Sequence, residues 1–225
     1  MKIYFQFVVK VILIWSIAGS SIAAVIFTDD FDSAASPLWG NEQGSWNDKG
    51  GAYQSTSGNQ AFSLLPTDLR DFSVELDIND VWDGGVVLRS SYNGGLFNGI
   101  ALITGGLGGG GTGVYWHEFV NGGNSPVLKH SGALFPSKSD IHLKIDVFGD
   151  TYSAFVNGTL VTTLTSSLYS QGQVGLFNNR LGQSFDNISV SSVPEPSTIF
   201  LAAFGIAGLC MLRRNKKSYK VQASA

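Results

Sequence analysis

Apolar and polar residues alternate along most of the middle of this chain, and turn-forming residues recur about every ten positions. Residues 71–79 show the pattern clearly, because the even-numbered positions are Phe, Val, Leu and Ile and the odd-numbered positions are polar or acidic. A period of two places the apolar side chains on one face of a strand. With no amphipathic helix pattern in this part of the chain, the sequence predicts an all-β, two-sheet sandwich or a barrel.

Three consecutive strands are predicted to form a meander. Alternation predicts a strand at 141–147, and Gly149-Asp150 turns the chain into a second strand at 151–156. Asn157-Gly158 supplies the next tight turn, since both residue types tolerate positive φ, and residues 160–164 complete the meander. The other predicted strands lie at Val25–Phe31, Ala52–Thr56, Ala61–Leu65, Gly85–Ser90, Asn98–Ile103, Gly113–Phe119, Val174–Phe177 and Phe185–Val190.

The N-terminus has the order of a secretory signal peptide. Lys2 and Lys10 flank the start of an apolar stretch, residues 11–18, and small residues follow, with Ser21-Ile22-Ala23 as the cleavage site. Residues 1–23 are therefore predicted to direct export and to be removed. The alternative is an N-terminal anchor that is retained.

The C-terminus combines a proline-containing hinge, an uncharged apolar run at residues 199–212 and a basic cluster. Pro194 and Pro196 cannot continue a strand ladder, so they end the preceding domain. As a helix the apolar run spans about 21 Å, short of the ~30 Å hydrocarbon core, but snorkelling of the arginines after it extends its reach. The cations favour a cytoplasmic end, which makes residues 218–225 a cytoplasmic tail. A buried core helix is the alternative.

This order of hinge, apolar helix and basic cluster resembles the PEP-CTERM sorting signal of Gram-negative bacteria over residues 193–217. The residues that carry the resemblance are Val193, Pro194, Glu195, Pro196, Arg213 and Arg214. The resemblance implies processing near the Pro-Glu-Pro element by an exosortase, a membrane transpeptidase, in bacteria that tend to make exopolysaccharide. The protein is thus expected at the cell surface or in the matrix, anchored transiently or permanently by the C-terminal helix.

Residues 24–192 are predicted to form one domain, long enough for a substantial core. They contain seven Lys and Arg against sixteen Asp and Glu, a net charge of −9. This charge disfavours nucleic acid as a partner and suits neutral glycans or cations such as calcium. The only cysteine, Cys210, lies in the apolar run, so the domain has neither a disulfide nor a thiol nucleophile.

The landmarks of this domain are similar in order to the concanavalin A-like jelly roll, shared by laminin-G-like domains, legume lectins and glucanases. They are Phe27–Asp32 with Trp39 and Trp46, Asp71–Val74, Gly85–Arg89, Leu143–Val147, Ala154–Leu160, Gly172–Leu176 and Phe185–Val190. The resemblance implies a two-sheet antiparallel jelly-roll sandwich in which the first and last strands pair, here residues 27–31 against 185–190.

Glu75 to Asp80 nearly match the E-x-D-x-x-E signature of laminarinase-like glycoside hydrolases, in which the first carboxylate is the nucleophile and the last is the acid. A retaining mechanism needs two carboxyl groups ~5–5.5 Å apart. Here the last position is Asp80, one methylene shorter than glutamate. The polar face of any half-exposed strand shows the same spacing of Glu75 and Asp77, and we favour this second interpretation.

Two groups of residues are candidates for ligand binding. Aromatic faces stack on sugar rings, and nearby amides and carboxylates such as Asp83 bond their hydroxyl groups; the alternative for the tryptophans is core packing. Carboxylates brought together by pairing of the first and last strands form an oxygen cage for calcium; singly solvated turn residues are the alternative. The glycan candidates are Trp82, Tyr92, Tyr115 and Trp116, and the calcium candidates are Asp29, Asp30, Asp32 and Asp186.

The glycine-rich segment 105–113 formally satisfies G-x-G-x-x-G, but no helix pattern follows it, so it is predicted to be a surface loop. Together these features predict an exported, surface-anchored, non-enzymatic protein that binds glycan, in particular exopolysaccharide. A glycoside hydrolase or lyase on the same fold, and a structural matrix protein without a small ligand, are the alternatives.

Overall fold

The computed structural model describes residues 23–105 and 112–193, and within these ranges the regular elements are β-strands. None of the described residues belongs to a helix with the length and hydropathy needed to cross a membrane. The strands are β1 (Val25–Asp29), β2 (Trp46–Asp48), β3 (Tyr53–Ser55), β4 (Ala61–Leu64), β5 (Phe72–Asn79), β6 (Gly84–Asn93), β7 (Leu96–Ile103), β8 (Tyr115–Val120), β9 (Gly123–Asn124), β10 (Lys129–His130), β11 (Ile141–Phe148), β12 (Thr151–Val156), β13 (Thr159–Thr165), β14 (Gln173–Asn178) and β15 (Ser184–Ser192).

Several sequence predictions lie outside the described residues. They are the signal peptide up to residue 22, the centre of the glycine-rich loop at 106–111, the Pro-Glu-Pro element, the apolar run at 199–212, the basic cluster and the tail at 218–225. Val193 is the last described residue, and its N–H donates to the Asp71 carbonyl at 3.4 Å. Ala24–Val193 forms one compact unit.

The strands form two antiparallel sheets that pack face to face. The first sheet has the order β13-β12-β11-β5-β15-β3-β2, and β1 also pairs with β15. The second has the order β10-β8-β7-β6-β14-β4, and β9 also pairs with β8. The predicted all-β sandwich is therefore confirmed. The predicted pairing of the first and last strands is confirmed as well, with Phe27 opposite Val190 and Thr28 opposite Ser189.

The core lies between the two sheets and follows the alternation of the sequence. The apolar positions of β5 are fully buried, namely Phe72, Val74, Leu76 and Ile78. They belong to one cluster with inward residues of the second sheet, including Val86, Leu88, Ile100, Leu102 and Leu176. The meander β11-β12-β13 is also confirmed, and its second turn has φ of 49° at Asn157 and 77° at Gly158. Both values are positive, as a two-residue turn of type I′ requires.

The outer face of the second sheet carries a further apolar cluster, which the sequence analysis did not predict. Its aromatic members are Phe62, Phe97, Phe119 and Phe177. The Phe62 and Phe97 rings stack with centroids 4.0 Å apart, and Phe97 meets Phe119 edge to face at 5.2 Å. Both faces of this sheet are thus apolar at its centre, which explains the near-continuous hydrophobic runs in β4, β6 and β7.

A buried arginine links the two sheets. Arg89 lies on β6 with 2% of its surface exposed, and all five of its N–H groups donate hydrogen bonds. The acceptors are the Tyr152 hydroxyl group on β12 and the carbonyl groups of Arg70, Gly149 and Tyr169. The Asp71 carboxylate lies 3.5 Å from the guanidinium and balances its charge. Complete pairing is what makes a buried cation tolerable.

We expect Arg89→Ala to lower the free energy of unfolding by about 3 kcal/mol or more, because it leaves several buried acceptors unpaired. Denaturant unfolding of the 24–193 unit measures this change. The matched control is Arg180→Ala, whose side chain is 56% exposed and whose loss should cost less than about 0.5 kcal/mol. Equal effects of the two substitutions would contradict the role given to Arg89.

Alkaline pH should unfold the domain through its buried tyrosines. Burial raises the pKa of Tyr53 to about 12, above the value of the unfolded chain. Stability is therefore complete below pH ~10 and falls as the pH rises through 12, by up to ~1.4 kcal/mol per pH unit for each such group. Unfolding curves recorded from pH 9 upward test this, and Tyr53→Phe should flatten part of the dependence. Constant stability across the range would refute it.

Candidate functional site

The connection between β5 and β6 places an indole and a carboxylate at one end of the sandwich. Trp82 is half-buried, and its backbone N–H donates to the Gln183 side-chain oxygen at 2.8 Å. The Lys138 ammonium group lies 5.5 Å from the Trp82 ring centroid. The first contact fixes the Trp82 backbone and the second places a cation against the indole ring, part of which remains exposed. Asp83 is the next residue in the chain, and its carboxylate is the centre of the candidate site.

The Asp83 carboxylate is held by donors from the connection between β14 and β15. Its Oδ2 accepts a hydrogen bond from Asn179 Nδ2 at 2.9 Å, and Arg180 Nε lies 3.5 Å away. The Asn179 N–H also donates to the Asp83 carbonyl at 2.8 Å. The Asp83 side chain is 11% exposed, so the carboxylate is fixed in position yet reachable at one edge.

Tyr115, the first residue of β8, completes the arrangement. Burial raises the pKa of Tyr115 and the negative charge of Asp83 adds to the shift, so the phenol stays protonated and able to donate. Gly105 leaves room beside both groups, since a Cβ on it would lie 3.0 Å from Asp83 Oδ1 and 3.2 Å from the Tyr115 hydroxyl oxygen. We call Trp82, Asp83, Tyr115, Asn179 and Arg180 the Asp83 site.

Sheet topology explains why these residues meet. β5 pairs with β15 and β14 pairs with β6, so both connections between the sheets cross at the same end of the sandwich. The end of β7 and the start of β8 lie there too, with Ile103 opposite Tyr115. The site combines a fixed carboxylate acceptor, amide, guanidinium and phenol donors, and a partly exposed aromatic face. Paired hydroxyl groups on a ring with an apolar face match this set.

The other two aromatic candidates lie elsewhere. Trp116 has no exposed surface and packs in the core against Tyr152, so its ring offers no face to a sugar. Its side chain points inward because it alternates with Tyr115 along β8. Tyr92 lies near the far end of β6, where its hydroxyl group donates to Gln43 at 3.4 Å and its ring packs on the outer apolar cluster.

The carboxylates of the hydrolase-like motif are engaged on the outer face of the first sheet. Glu75 lies 3.5 Å from the Lys144 ammonium group, and Asp77 Oδ1 lies 2.8 Å from His142 Nδ1. Asp80 is in the turn beyond β5, with positive φ. Cross-strand pairs of this kind are what a solvated strand face provides.

The calcium candidates are brought near one another but are partly committed to other contacts. Asp29 accepts hydrogen bonds from the N–H groups of residues 31 and 36 and from the Trp39 indole. Burial raises the pKa of Asp186, and the charges of Asp32 and Asp30 contribute to the shift. Among residues 23–105 and 112–193, no group of three or more His, Cys, Asp or Glu side chains is arranged to hold a metal ion. Calcium binding at these residues stays a prediction.

Asn179, Arg180 and Gln183 were missed by sequence reasoning, which noted Asp83 only as a polar neighbour of Trp82. Most of the residues between the predicted strands at 174–177 and 185–190 are polar, and this was the signal that the sequence offered. It becomes informative only when β5 is known to pair with β15, because that pairing brings residues 179–183 beside Asp83.

Comparison with known proteins identifies the C-terminal segment and the fold. Residues 192–215 match the PEP-CTERM protein-sorting motif. This confirms the sequence resemblance at that end of the chain. No curated protein matches the chain.

Solved structures similar to this chain share its sandwich. The carbohydrate-binding module CBM66 from Bacillus subtilis is 24% identical, with 69% of this chain and 96% of the module covered and a TM-score of 0.61. The exoplasmic domain of VIP36, solved with Ca²⁺ and Man3GlcNAc, is 13% identical, with 76% and 91% covered and a TM-score of 0.56. The Bacillus licheniformis β-glucanase is 15% identical, with 76% and 99% covered and a TM-score of 0.52. Such identities establish the fold alone, and they confirm the concanavalin-like jelly roll.

Asp29 provides a test that separates a structural role from a calcium role. We expect Asp29→Ala to lower the free energy of unfolding by about 2 kcal/mol, because three donors lose their acceptor, and to do so equally with calcium or with EDTA. The matched control, Asp32→Ala, removes an exposed carboxylate and should change little. Stabilisation of the wild type by calcium that Asp29→Ala abolishes would instead establish a calcium site.

Proposed function

We propose that this chain is an exported protein of the cell envelope whose β-sandwich binds neutral glycan at the Asp83 site without catalysing a reaction. The observation that carries the proposal is the Asp83 carboxylate, fixed by Asn179 and Arg180 beside Tyr115 and a partly exposed Trp82. A rigid acceptor with adjacent donors and an aromatic face is the usual composition of a sugar site. Carbohydrate-binding proteins with the same fold, the module CBM66 and VIP36, support the ligand class.

The sorting motif supports the location. A PEP-CTERM segment at 192–215 implies export and processing by an exosortase, and the C-terminal apolar run then holds the protein in the inner membrane until it is processed. The polysaccharide around the cell is then the glycan within reach. The acidic charge of the domain suits a neutral polymer, because an acidic one would be repelled.

The geometry of the domain fits this arrangement. β15 begins beside Gln183 at the Asp83 site and ends at Ser192, one residue before the last described position. Nine strand residues span roughly 27 Å. The Asp83 site therefore lies at the end of the sandwich opposite to the point where the chain continues into the sorting segment.

An enzyme on the same fold is the second candidate, since a β-glucanase is among the similar structures. The contacts of Glu75 with Lys144 favour a solvated strand face over a nucleophile. A retaining glycosidase would need a second carboxyl group at a fixed short distance from Glu75, and Asp80 is in the turn beyond the strand.

Affinity electrophoresis tests the binding proposal. With mixed-linkage β-glucan, mannan, dextran and levan in separate gels, we expect at least one polymer to retard the wild type. Trp82→Ala and Asp83→Ala should each weaken binding by about tenfold or more, as expected for the loss of ~1.4 kcal/mol or more from an aromatic or charged contact.

Asp146→Ala is the matched control, because this carboxylate is on the outer face of the first sheet with Lys144. Retardation that is lost equally in the control, or absent with every polymer, would reject the Asp83 site. Release of reducing sugar that disappears in Glu75→Gln would favour the enzyme instead.

A further inference from the structure

A cavity of about 590 Å³ opens at the end of the second sheet away from the Asp83 site. Its walls are the connection from β4 to β5 at residues 66–68 and the residues around the start of β14, and β6 forms its floor. Ser90 on this floor is six residues along β6 from Gly84, or roughly 20 Å from the Asp83 site. The volume is in the range of about 300–1,000 Å³ that small-molecule sites occupy. We call this cavity, lined by Pro66, Asp68, Ser91, Tyr169, Gln171 and Gln173, the Gln173 cleft.

The charges of the cleft argue against an ionic ligand. Among the described residues that line it, Arg89 is the only cation, and every N–H group of that guanidinium already donates within the protein. An anion would therefore find no free cation among the described lining residues. Asp68 is the one acidic residue in the described part of the lining, and it accepts a hydrogen bond from Gln171 Nε2 at 2.8 Å. One exposed carboxylate is a poor cation site but a good acceptor for a hydroxyl group.

Neutral hydrogen-bonding groups and apolar side chains line the rest of the Gln173 cleft. The side chains of Ser91 and Gln173 are half-buried and form no hydrogen bond with another described residue. The Tyr169 hydroxyl group donates to the Phe119 carbonyl at 2.6 Å, so this lining residue has a fixed phenol whose polar end is already paired. Together with the Pro66 ring this gives apolar surface next to free hydroxyl and amide groups, the combination that ring-shaped polyols match.

The backbone under the cleft is specially shaped. Arg89 has φ of 46°, and the pairing of β6 shifts register against both β7 and β14 at this point. A bulge of this kind redirects side chains, and here it sends Arg89 inward and leaves Ser91 at the cleft. Gly172 closes the floor, because a Cβ there would lie 2.5 Å from the Arg89 carbonyl carbon. The shape of the floor therefore depends on glycine at position 172, because any side chain there would collide with the Arg89 backbone.

We propose that the Gln173 cleft is a second binding site for neutral saccharide, independent of the Asp83 site. This inference takes the class of ligand from the proposed function and takes the location of the site from the lining of the cleft. Two sites at opposite ends of one sandwich enable a single chain to hold two glycan segments. The protein then cross-links polysaccharide rather than only coating it, and multivalent attachment raises its avidity.

The test uses the full-length chain in detergent and the four polymers named above, together with short oligosaccharides prepared from each. Isothermal titration with the oligosaccharide of the retarding polymer should give two sites per wild-type chain. Gln173→Ala combined with Ser91→Ala should give one, with affinity at the altered site reduced about tenfold or more. Gln171→Ala should also weaken binding at the cleft, and because Gln171 is exposed this substitution carries little risk to folding. The unfolding temperature of each variant shows whether it is folded.

Cross-linking supplies an independent readout. Wild type mixed with the polymer should become turbid, whereas the Gln173 and Asp83 variants should each bind without turbidity. If the wild type has a single site and Asp83→Ala abolishes it, the proposal that the cleft binds saccharide is rejected and the proposed function still stands. A single site that only the Gln173 variant abolishes would retain the cleft and reject the Asp83 site, and absence of any binding would reject both.

Discussion

The buried guanidinium of Arg89 ties the two sheets together, and the rest of the domain is arranged around it. Its partners come from β12, from the chain before β5 and from the chain before β14, so one side chain fixes three segments that hydrophobic packing alone would leave free to slide. Apolar burial supplies most of the stability but has no direction. Hydrogen bonds to a buried cation have both direction and a large cost of being broken.

The same topology creates two places where connections converge. At one end, the crossings between sheets bring Asp83 beside Asn179 and Tyr115. At the other, the bulge at Arg89 shapes the floor of the Gln173 cleft. The strands of the second sheet pack on both faces between these ends, whereas the polar groups of both sites belong to connections and strand termini at the ends. Ligand chemistry on a rigid scaffold is commonly found in such connections.

The strands were largely predictable, whereas the site was predictable only in part. Alternation over 71–79 and the Asn157-Gly158 turn depend on local rules that tertiary structure did not override. Strands of two or three residues, such as β9, carry no readable period. Trp82 and Trp116 look alike in sequence, yet Trp82 is half-buried in the connection after β5, whereas the alternation of β8 places Trp116 in the core. Asn179 was hidden for a related reason, since its partner is 96 residues away in the chain.

The central position of β15 has a mechanical consequence. Under the proposed function, a polymer held at the Asp83 site and an attachment beyond Val193 pull on opposite ends of this strand. Its hydrogen bonds to β5 and β1 run across the direction of pull, so the load is shared by the whole ladder in shear instead of peeling bonds one after another. The domain is thereby suited to withstand flow and drag on the polymer it holds.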